Sequence, residues 1–531
     1  MEDKIKIKII DSISSKETSI YLTNGDNLLD SLVDNRLSIS SECAGMGTCG
    51  KCLILLIEGS LDITKQDKEV ISDIDLSNGY RLACMAYPTK DCTIMLNPEK
   101  TTSYNIVTDT IKSNPETIKD TDTDVKNSHT DINAYADSSL FAIAIDLGTT
   151  TLALALVALG EGNILDNYTA LNPQRIYGAD VISRIKASNE GKQELLSKLI
   201  RDELRKGIVY LLDRQEIQAE SVGKITISGN TTMIHLLMGY SCEGLGSHPF
   251  TPVNLGFINT FSDDLLDLDY SIPVRILPGI SAFVGADITG GLMVCDIARK
   301  DKPCLFIDLG TNGEMALGNG ERILVTSTAA GPAFEAGNIS CGVGSVSGAI
   351  CHVSIEDGRI SYDTINDKPA IGICGTGVIE LVSELLKEGI IDSTGLLIDP
   401  YFDKGYEIAG LKFTQKDIRE LQLAKSAIRS GVDILVRRFG ISYDKIDKVY
   451  IAGGFGYHLD TDKAINIGLL PKALKNKTRA VGNTSLSGAI EAMRDSDADR
   501  RLSHIVSTAE EIHLANEEDF NDLFVGFMSF E

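Results

Sequence analysis

Residues 5–10, IKIKII, alternate apolar and basic positions with the period of two expected of a half-buried strand. A second short strand near Ser19 to Leu22, the helical NLLDSLVDN and the strand CLILLIEG follow, predicting a compact mixed α/β domain that ends near Pro98. Residues 99–139 lose the periodicity: eight acids and four lysines sit among many Thr, Ser and Asn, which reads as a linker. If flexible, these 41 residues span on the order of 35 Å root-mean-square, so residues 1–98 are expected to form a tethered domain that swings. From Leu140 onward, β-type runs alternate with helical stretches such as GKQELLSKLIRDELRKGIVYLLD and GVIELVSELLKEG, the layering of an α/β fold. The long apolar run 141–160 is read as one buried strand, because Asp146 and three consecutive Thr are costly in a bilayer. One repeat stands out: Ile145-Asp146-Leu147-Gly148-Thr149-Thr150 returns as Ile307-Asp308-Leu309-Gly310-Thr311-Asn312, each time after a short apolar run. It predicts two homologous halves, about 140–300 and 301–531, facing a cleft.

Length, 531 residues, suggests three or four folding units at roughly 150 residues each. With 50 Lys+Arg against 75 Asp+Glu the formal charge is −25, which repels nucleic acid and anionic lipid, so no nucleic acid and no membrane is expected as a partner. The N-terminus MEDKIKIKII lacks an apolar signal core, which makes the cytoplasm the expected compartment.

In that compartment eleven Cys point to metal or redox use more than to disulfides. The spacing Cys43-x5-Cys49-x2-Cys52, with Cys84 after 31 further residues, offers four thiolates, and Gly45, Gly47 and Gly50 let backbone N–H groups approach the sulfurs. A zinc site or a thioredoxin-like dithiol at Cys49 and Cys52 is the weaker reading, since only one CxxC unit is present and no βαβ helix follows it. Cys92, in the closing strand DCTIML, competes as fourth ligand but reads as a buried thiol, and Cys242, Cys295, Cys304, Cys341, Cys351 and Cys374 read as core. The first 98 residues resemble a plant-type or adrenodoxin-type [2Fe-2S] ferredoxin, a β-grasp fold. That resemblance implies Cys43, Cys49, Cys52 and Cys84 as cluster ligands, with RLACMAYP as the usual context of the fourth.

A strand ending in Asp and followed by Gly and hydroxyl residues offers backbone N–H and Thr Oγ to phosphate, and its carboxylate can hold Mg²⁺, chiefly through water. Two such turns 162 residues apart, DLGTTT and DLGTNGE, are joined by Val449-Tyr450-Ile451-Ala452-Gly453-Gly454-Phe455-Gly456, a strand running into a Gly-Gly turn. In this order the motifs resemble the ASKHA superfamily of sugar and acetate kinases, heat-shock chaperones and actin. The resemblance implies that Asp146 and Asp308 flank Mg-ATP, that Gly148, Thr149, Thr150 and Thr151 with Gly310, Thr311, Asn312 and Gly313 hold phosphate, and that Gly453, Gly454 and Gly456 face adenosine. Ser228-Gly229-Asn230-Thr231-Thr232 is read as a further hydroxyl-lined loop or a helix cap. Gly285-Ala286-Asp287 and Gly375-Thr376-Gly377 precede helical runs; they either face phosphate or pack helices closely. Glu314 and Glu335, acids in Gly-rich contexts, either orient water or, the commoner case, are solvated loop acids; His235 is read as a core or surface histidine, and His458 as a residue bordering the adenosine motif. The stretch Thr326 to Pro332 reads as a loop packed against the cleft.

A ferredoxin joined by a linker to an ASKHA-like domain resembles the reductive activators of corrinoid-dependent methyltransferases, over essentially all 531 residues. The resemblance implies an α/β multidomain fold, a [2Fe-2S] cluster, ATP, Mg²⁺, a low-potential electron donor and a corrinoid protein whose Co(II) is returned to Co(I); a homodimer is left open. No Asp-x-His-x-x-Gly corrinoid-carrier motif occurs, so the cobamide is expected on the partner. The short stretch before the first DLGT leaves little room for an extra middle domain. Two other readings remain: a small-molecule kinase with a redox-regulatory module, and a non-enzymatic ATP-dependent chaperone or electron carrier.

Overall fold

The computed structural model describes residues 4–11, 17–35, 37, 39, 47, 52–71, 73–96, 141–160, 162–453 and 459–530. The alternating N-terminal stretch forms β1 (Ile5–Asp11), which buries Ile5, Ile7 and Ile9 and leaves Lys6 exposed. With β2 (Glu17–Leu22), β3 (Leu53–Glu58), β4 (Tyr80–Leu82) and β5 (Cys92–Leu96) it builds a sheet of order β2-β1-β5-β3-β4, in which β1 and β5 run parallel. Helix α1 (Leu28–Asp34) starts at Asn27, whose side chain accepts from Asp30 N, and lays Leu28, Leu29, Leu32 and Val33 into the core. This is the β-grasp arrangement. The expected linker lies outside the described residues.

The run 141–160 is two strands, not one. A single strand of that length would extend roughly 65 Å, whereas the chain folds back at Gly148–Thr150 between β6 (Phe141–Leu147) and β7 (Thr151–Ala158), with Leu147 opposite Leu152. The turn is tight: a Cβ on Gly148 would sit 2.5 Å from the Thr151 carbonyl oxygen. With β8 (Asn163–Leu171), β9 (Val222–Gly229), β10 (Ile258–Phe261) and β11 (Pro273–Ile276) these strands form a sheet of order β10-β11-β9-β6-β7-β8.

The second sheet repeats the plan. The meander β12 (Cys304–Leu309), β13 (Gly313–Gly318) and β14 (Ile323–Thr328) is followed by a small sheet, β15 (Ala349–Glu356), β16 (Arg359–Thr364) and β17 (Gly372–Ile373), and a hairpin, β18 (Tyr406–Ile408) and β19 (Leu411–Phe413). The chain then returns as β20 (Val449–Ala452), β21 (Thr478–Gly482) and β22 (Ala509–Glu511), in the order β21-β20-β12-β13-β14-β22. Registers match between the halves: Asp146 of β6 lies opposite Ser228 of the parallel β9, and Asp308 of β12 opposite Ala452 of the parallel β20.

The helices reveal that the halves interlock. After α2 (Gln193–Arg214) and α3 (Thr231–Met238), helix α4 (Ala286–Val294) leaves the first half and packs Ile288, Leu292 and Met293 in one core with Phe306 and Tyr450 of the second sheet. Helices α5 (Gly375–Lys387) and α6 (Gln415–Phe439) belong to the second half. Helix α7 (Thr484–Arg494) crosses the other way, packing Leu486, Ala489, Ile490 and Met493 on Ala142, Ala144, Ala153 and Ala155 of the first sheet. The two helices cross at Gly290 and Gly488, where a Cβ on Gly488 would lie 2.5 Å from Gly290 Cα. Among the described residues no helix is long and apolar enough to cross a membrane.

Candidate iron-sulfur and nucleotide sites

β3 begins directly after Cys52, and β4 runs into the turn Ala83–Met85, with Leu53 opposite Leu82. That pairing brings the Cys52 and Cys84 Sγ atoms to 3.2 Å, both buried. Asn27 Nδ2 holds the turn by donating to the Cys84 carbonyl at 2.8 Å, and Ala83 N donates to the Cys52 carbonyl at 2.9 Å. A disulfide would be about 2.05 Å, so these are two thiols in contact, a soft donor pair that fits an iron-sulfur cluster. Cys92 sits elsewhere. It opposes Ile7 at the start of β5, whereas the end of β5 near Cys52 is Leu96, opposite Ile54; burial pushes the Cys92 thiol up to about 11. Cys43, Cys49, Gly45 and Gly50 lie outside the described residues. Of the six Cys expected in the core, Cys242, Cys295, Cys304 and Cys374 are buried; Cys341, whose carbonyl accepts from Ile373 N beside the edge strand β17, and Cys351, where the β15–β16 register shifts, are only half-buried.

The two DLGT turns face each other across the cleft. Thr150 Oγ1 and Thr311 Oγ1 are 3.1 Å apart, and both donate to Glu335 Oε2, at 3.4 and 3.0 Å. Glu335, half-buried on the 3-10 turn Pro332–Glu335, is thus tied to both halves rather than standing free in a loop. Asn172 fastens the first turn, with Nδ2 donating to the Gly148 carbonyl and its N–H to the Thr150 carbonyl, both at 2.9 Å. Thr149 Oγ1 accepts from Asn230 Nδ2 at 2.8 Å, and Asn230 also caps α3, the cap reading of that loop. In the second turn Gly310 N donates to the Asn312 carbonyl at 3.0 Å. Thr151 and Gly313 open β7 and β13. Gly453 has φ +95° and no space for a side chain, since a Cβ would fall 2.8 Å from Asp308 Oδ1. Gly454, Gly456 and His458 lie outside the described residues.

Asp146 is held from the opposite half: Asn483 Nδ2 donates to Oδ2 at 2.8 Å and Ser485 Oγ to Oδ1 at 2.7 Å. Burial raises its pKa and these two donors oppose the rise. Asp308 is pushed up to about 8 by burial and then by the charges of Asp287, Asp146 and Glu335. Asp287, at the head of α4, rises to about 7, chiefly through burial. Glu314 is raised well above the ordinary carboxylate range, through burial and then Asp287 and Asp308; it is a half-buried acid on β13, not a loop residue in solvent. Among the described residues, the groups that shift these four acids are other acids and hydrogen-bond donors of the amide, hydroxyl and backbone kind, not Lys or Arg. Acids that repel one another beside hydroxyl-lined turns are relieved by a divalent cation. Among the described residues no three His, Cys, Asp or Glu side chains are placed to hold a metal directly.

Asn172, Asn483 and Ser485 were not legible as site residues from the motifs above. The available signal was a second repeat, Gly229-Asn230-Thr231 against Gly482-Asn483-Thr484, each at the end of a strand and the start of a helix. His235 is buried in α3, with Nδ1 2.8 Å from the Thr231 carbonyl and Nε2 accepting from Val253 N at 2.9 Å, and burial lowers its pKa. Gly375, Thr376 and Gly377 lie inside the first turn of α5 rather than before it. Thr326 to Thr328 end strand β14, and Thr326 Oγ1 donates to the Ile512 carbonyl at 2.7 Å, so that part of the expected loop is sheet.

Three family models match the chain: the 2Fe-2S iron-sulfur cluster binding domain over residues 12–89, the RACo middle region over 141–300, and the C-terminal domain of RACo, the ASKHA domain, over 302–531. The middle region is thus the segment read above as the first half, not an insertion ahead of it. The corrinoid activation enzyme RamQ of Eubacterium limosum is 33% identical over 66% of this chain, and the match spans 64% of RamQ. The [Co(II) methylated amine-specific corrinoid protein] reductase of Methanosarcina barkeri is 27% identical over 74% of this chain and 77% of its own. A solved structure, the reductive activator for corrinoid, iron-sulfur protein, superposes with TM-score 0.68 at 28% identity, covering 99% of this chain and 98% of that one.

Proposed function

Since this chain belongs to the RACo family, with the ferredoxin, middle and C-terminal ASKHA domains in that order, we propose that it is an ATP-dependent reductive activator of a corrinoid protein. It takes one electron from a low-potential donor and passes it to a Co(II) corrinoid carried by the partner, giving Co(I) for methyl transfer. The observation that carries this reading is the coexistence in one chain of the Cys52–Cys84 thiol pair and a cleft in which Thr150, Thr311 and Glu335 join two DLGT turns. Residues 1–98 form the electron-carrying unit, 99–139 the tether, and 140–531 the nucleotide-binding unit. Cys43, Cys49, Cys52 and Cys84 hold the cluster. When bound, a [2Fe-2S] group of this type supplies single electrons at roughly −400 mV.

In the cleft, Asp146 and Asp308 receive the Mg²⁺ shell, with Asp287 and Glu314 adding negative charge behind them. Thr149, Thr150, Thr151, Thr311 and Asn312 donate to phosphate oxygens, and Gly148, Gly310 and Gly313 let the turns close upon them. Gly453, Gly454 and Gly456 admit the adenosine. Each further 59 mV uphill in a one-electron step costs about 1.4 kcal/mol, so closure of the interlocked halves on ATP is the step that drives or traps the transfer. The test is anaerobic: full-length protein, a Ti(III) reductant and a Co(II) corrinoid protein, with the corrin absorption followed with and without Mg-ATP. Co(I), or trapped methyl-Co(III) with a methyl donor present, should form only with ATP. Equal reduction without nucleotide, or rapid phosphorylation of a metabolite, rejects the proposal.

A further inference from the structure

The repeated Gly-Asn-Thr triplet uses its Asn identically in one respect and differently in another. In each copy the Asn caps a helix: Asn230 Oδ1 accepts from Met233 N at 2.9 Å, and Asn483 Oδ1 from Leu486 N at 2.8 Å. Ser, Thr or Asp would cap about as well. What Asn adds is an amide donor on the same side chain. In the first copy that donor meets a hydroxyl, Thr149 Oγ1, at 2.8 Å; in the second it meets a carboxylate, Asp146 Oδ2, at 2.8 Å. Ser485, one position further into α7 than the triplet, donates to the other oxygen, Oδ1, at 2.7 Å and lies 3.1 Å from Ser228 Oγ. Asn483 is 9% exposed, Ser485 6% and Ser228 0%, so water competes little for these bonds. α7 reaches Asp146 only because it crosses from the C-terminal half to the first sheet.

We propose that Asn483 and Ser485 are positioning residues for nucleotide hydrolysis: together they fix both oxygens of Asp146, so that the acid of one half is aimed into the cleft by a helix of the other. The inference rests on the nucleotide reading given above. It makes the amide at 483 indispensable in a way that capping does not. Asp at 483 keeps the cap acceptor and the size of the side chain but sets a second carboxylate against Asp146. Asp at 230 is milder, because the Thr149 hydroxyl can rotate and donate to it.

The experiment uses the full chain, with kcat, KM for ATP and the Mg²⁺ concentration for half-maximal hydrolysis measured for each variant, Mg-ATP binding followed by calorimetry, and thermal unfolding as the control for folding. Asn483→Asp should keep a midpoint close to wild type while kcat falls about tenfold or more and the Mg²⁺ requirement rises by a similar factor. Asn230→Asp should lose clearly less. Ser485→Ala should move both quantities in the same direction, and Ser485→Thr, which retains the hydroxyl, should restore most of the loss. Equal losses in Asn483→Asp and Asn230→Asp, or an unchanged Mg²⁺ requirement in a folded Asn483→Asp, overturn the proposal. Should Asn483→Asp unfold, identical behaviour of Ser485→Ala and Ser485→Thr overturns it instead. Wild-type protein that neither binds nor hydrolyses Mg-ATP overturns both this inference and the function on which it rests; a hydrolysing wild type with insensitive variants overturns this inference alone.

Discussion

Asp308 shows how a candidate site opposes the stability of its own fold. Burial and three neighbouring acids raise its folded-state pKa to about 8, from 3.8 in an ordinary environment. The folded chain therefore holds the proton that the unfolded chain has released, and stability falls as pH rises from about 4 to about 8. Asn in its place removes the charge that burial penalises. Asp308→Asn should raise the thermal midpoint relative to wild type at pH 8, with a smaller gain at pH 5, while ATP hydrolysis falls by roughly 10² or more. A midpoint lower than wild type at pH 8 would contradict the buried-acid account. The thiols permit a second test at this scale. Anaerobically purified Cys84→Ser and Cys52→Ser should lose most of their iron and visible absorption, whereas Cys92→Ser, changed at the other end of β5, should keep both. Iron retained in Cys84→Ser and lost in Cys92→Ser would reverse the ligand assignment.

Among the elements, the crossing of α4 and α7 carries the most consequence. α7 starts beside Asp146 and packs on the first sheet, α4 packs on the second, and the two pass where a Cβ on Gly488 has no room and one on Gly290 would be tight. The two backbones approach so closely at this point that a side chain on Gly488 forces the helices apart. Gly488→Val should cost about 1–3 kcal/mol of stability in denaturant unfolding. It should also weaken Mg-ATP binding at a distance, because α7 carries Asn483 and Ser485 at its head. A variant that binds nucleotide like wild type despite lowered stability would show that the crossing is packing alone.

For the whole molecule, the order of domains separates two activities that a truncation can divide. Residues 141–530 contain both sheets, both crossing helices and all the described acids of the cleft, while the thiol pair sits among residues 52–84. Protein lacking residues 1–98 should hydrolyse ATP at a rate within a few-fold of the full chain and fail to reduce the corrinoid partner. Loss of hydrolysis together with reduction would place the ferredoxin unit within the nucleotide site.

The sequence by itself determined what is local. Alternation gave β1, spacing brought out the cysteines, and two copies of DLGT marked two turns, because each is a pattern of a few consecutive residues with a fixed backbone geometry. Even there, the apolar run 141–160 reads as one strand although the first DLGT turn inside it is the corner of a hairpin, since uniform burial erases the periodicity that separates one strand from two. The tertiary structure alone decided which distant groups meet. Asn483 and Ser485 lie 337 and 339 residues from the carboxylate they hold, and Glu335 lies 185 from Thr150. Apart from the Gly-Asn-Thr triplet that Asn483 shares with Asn230, nothing in their immediate sequence distinguishes them from ordinary cap, turn and loop residues. Their role arises from the crossing of α4 and α7, from the folding of two sheets around one cleft, and from the burial that turns four scattered acids, Asp146, Asp287, Asp308 and Glu314, into one electrostatic unit.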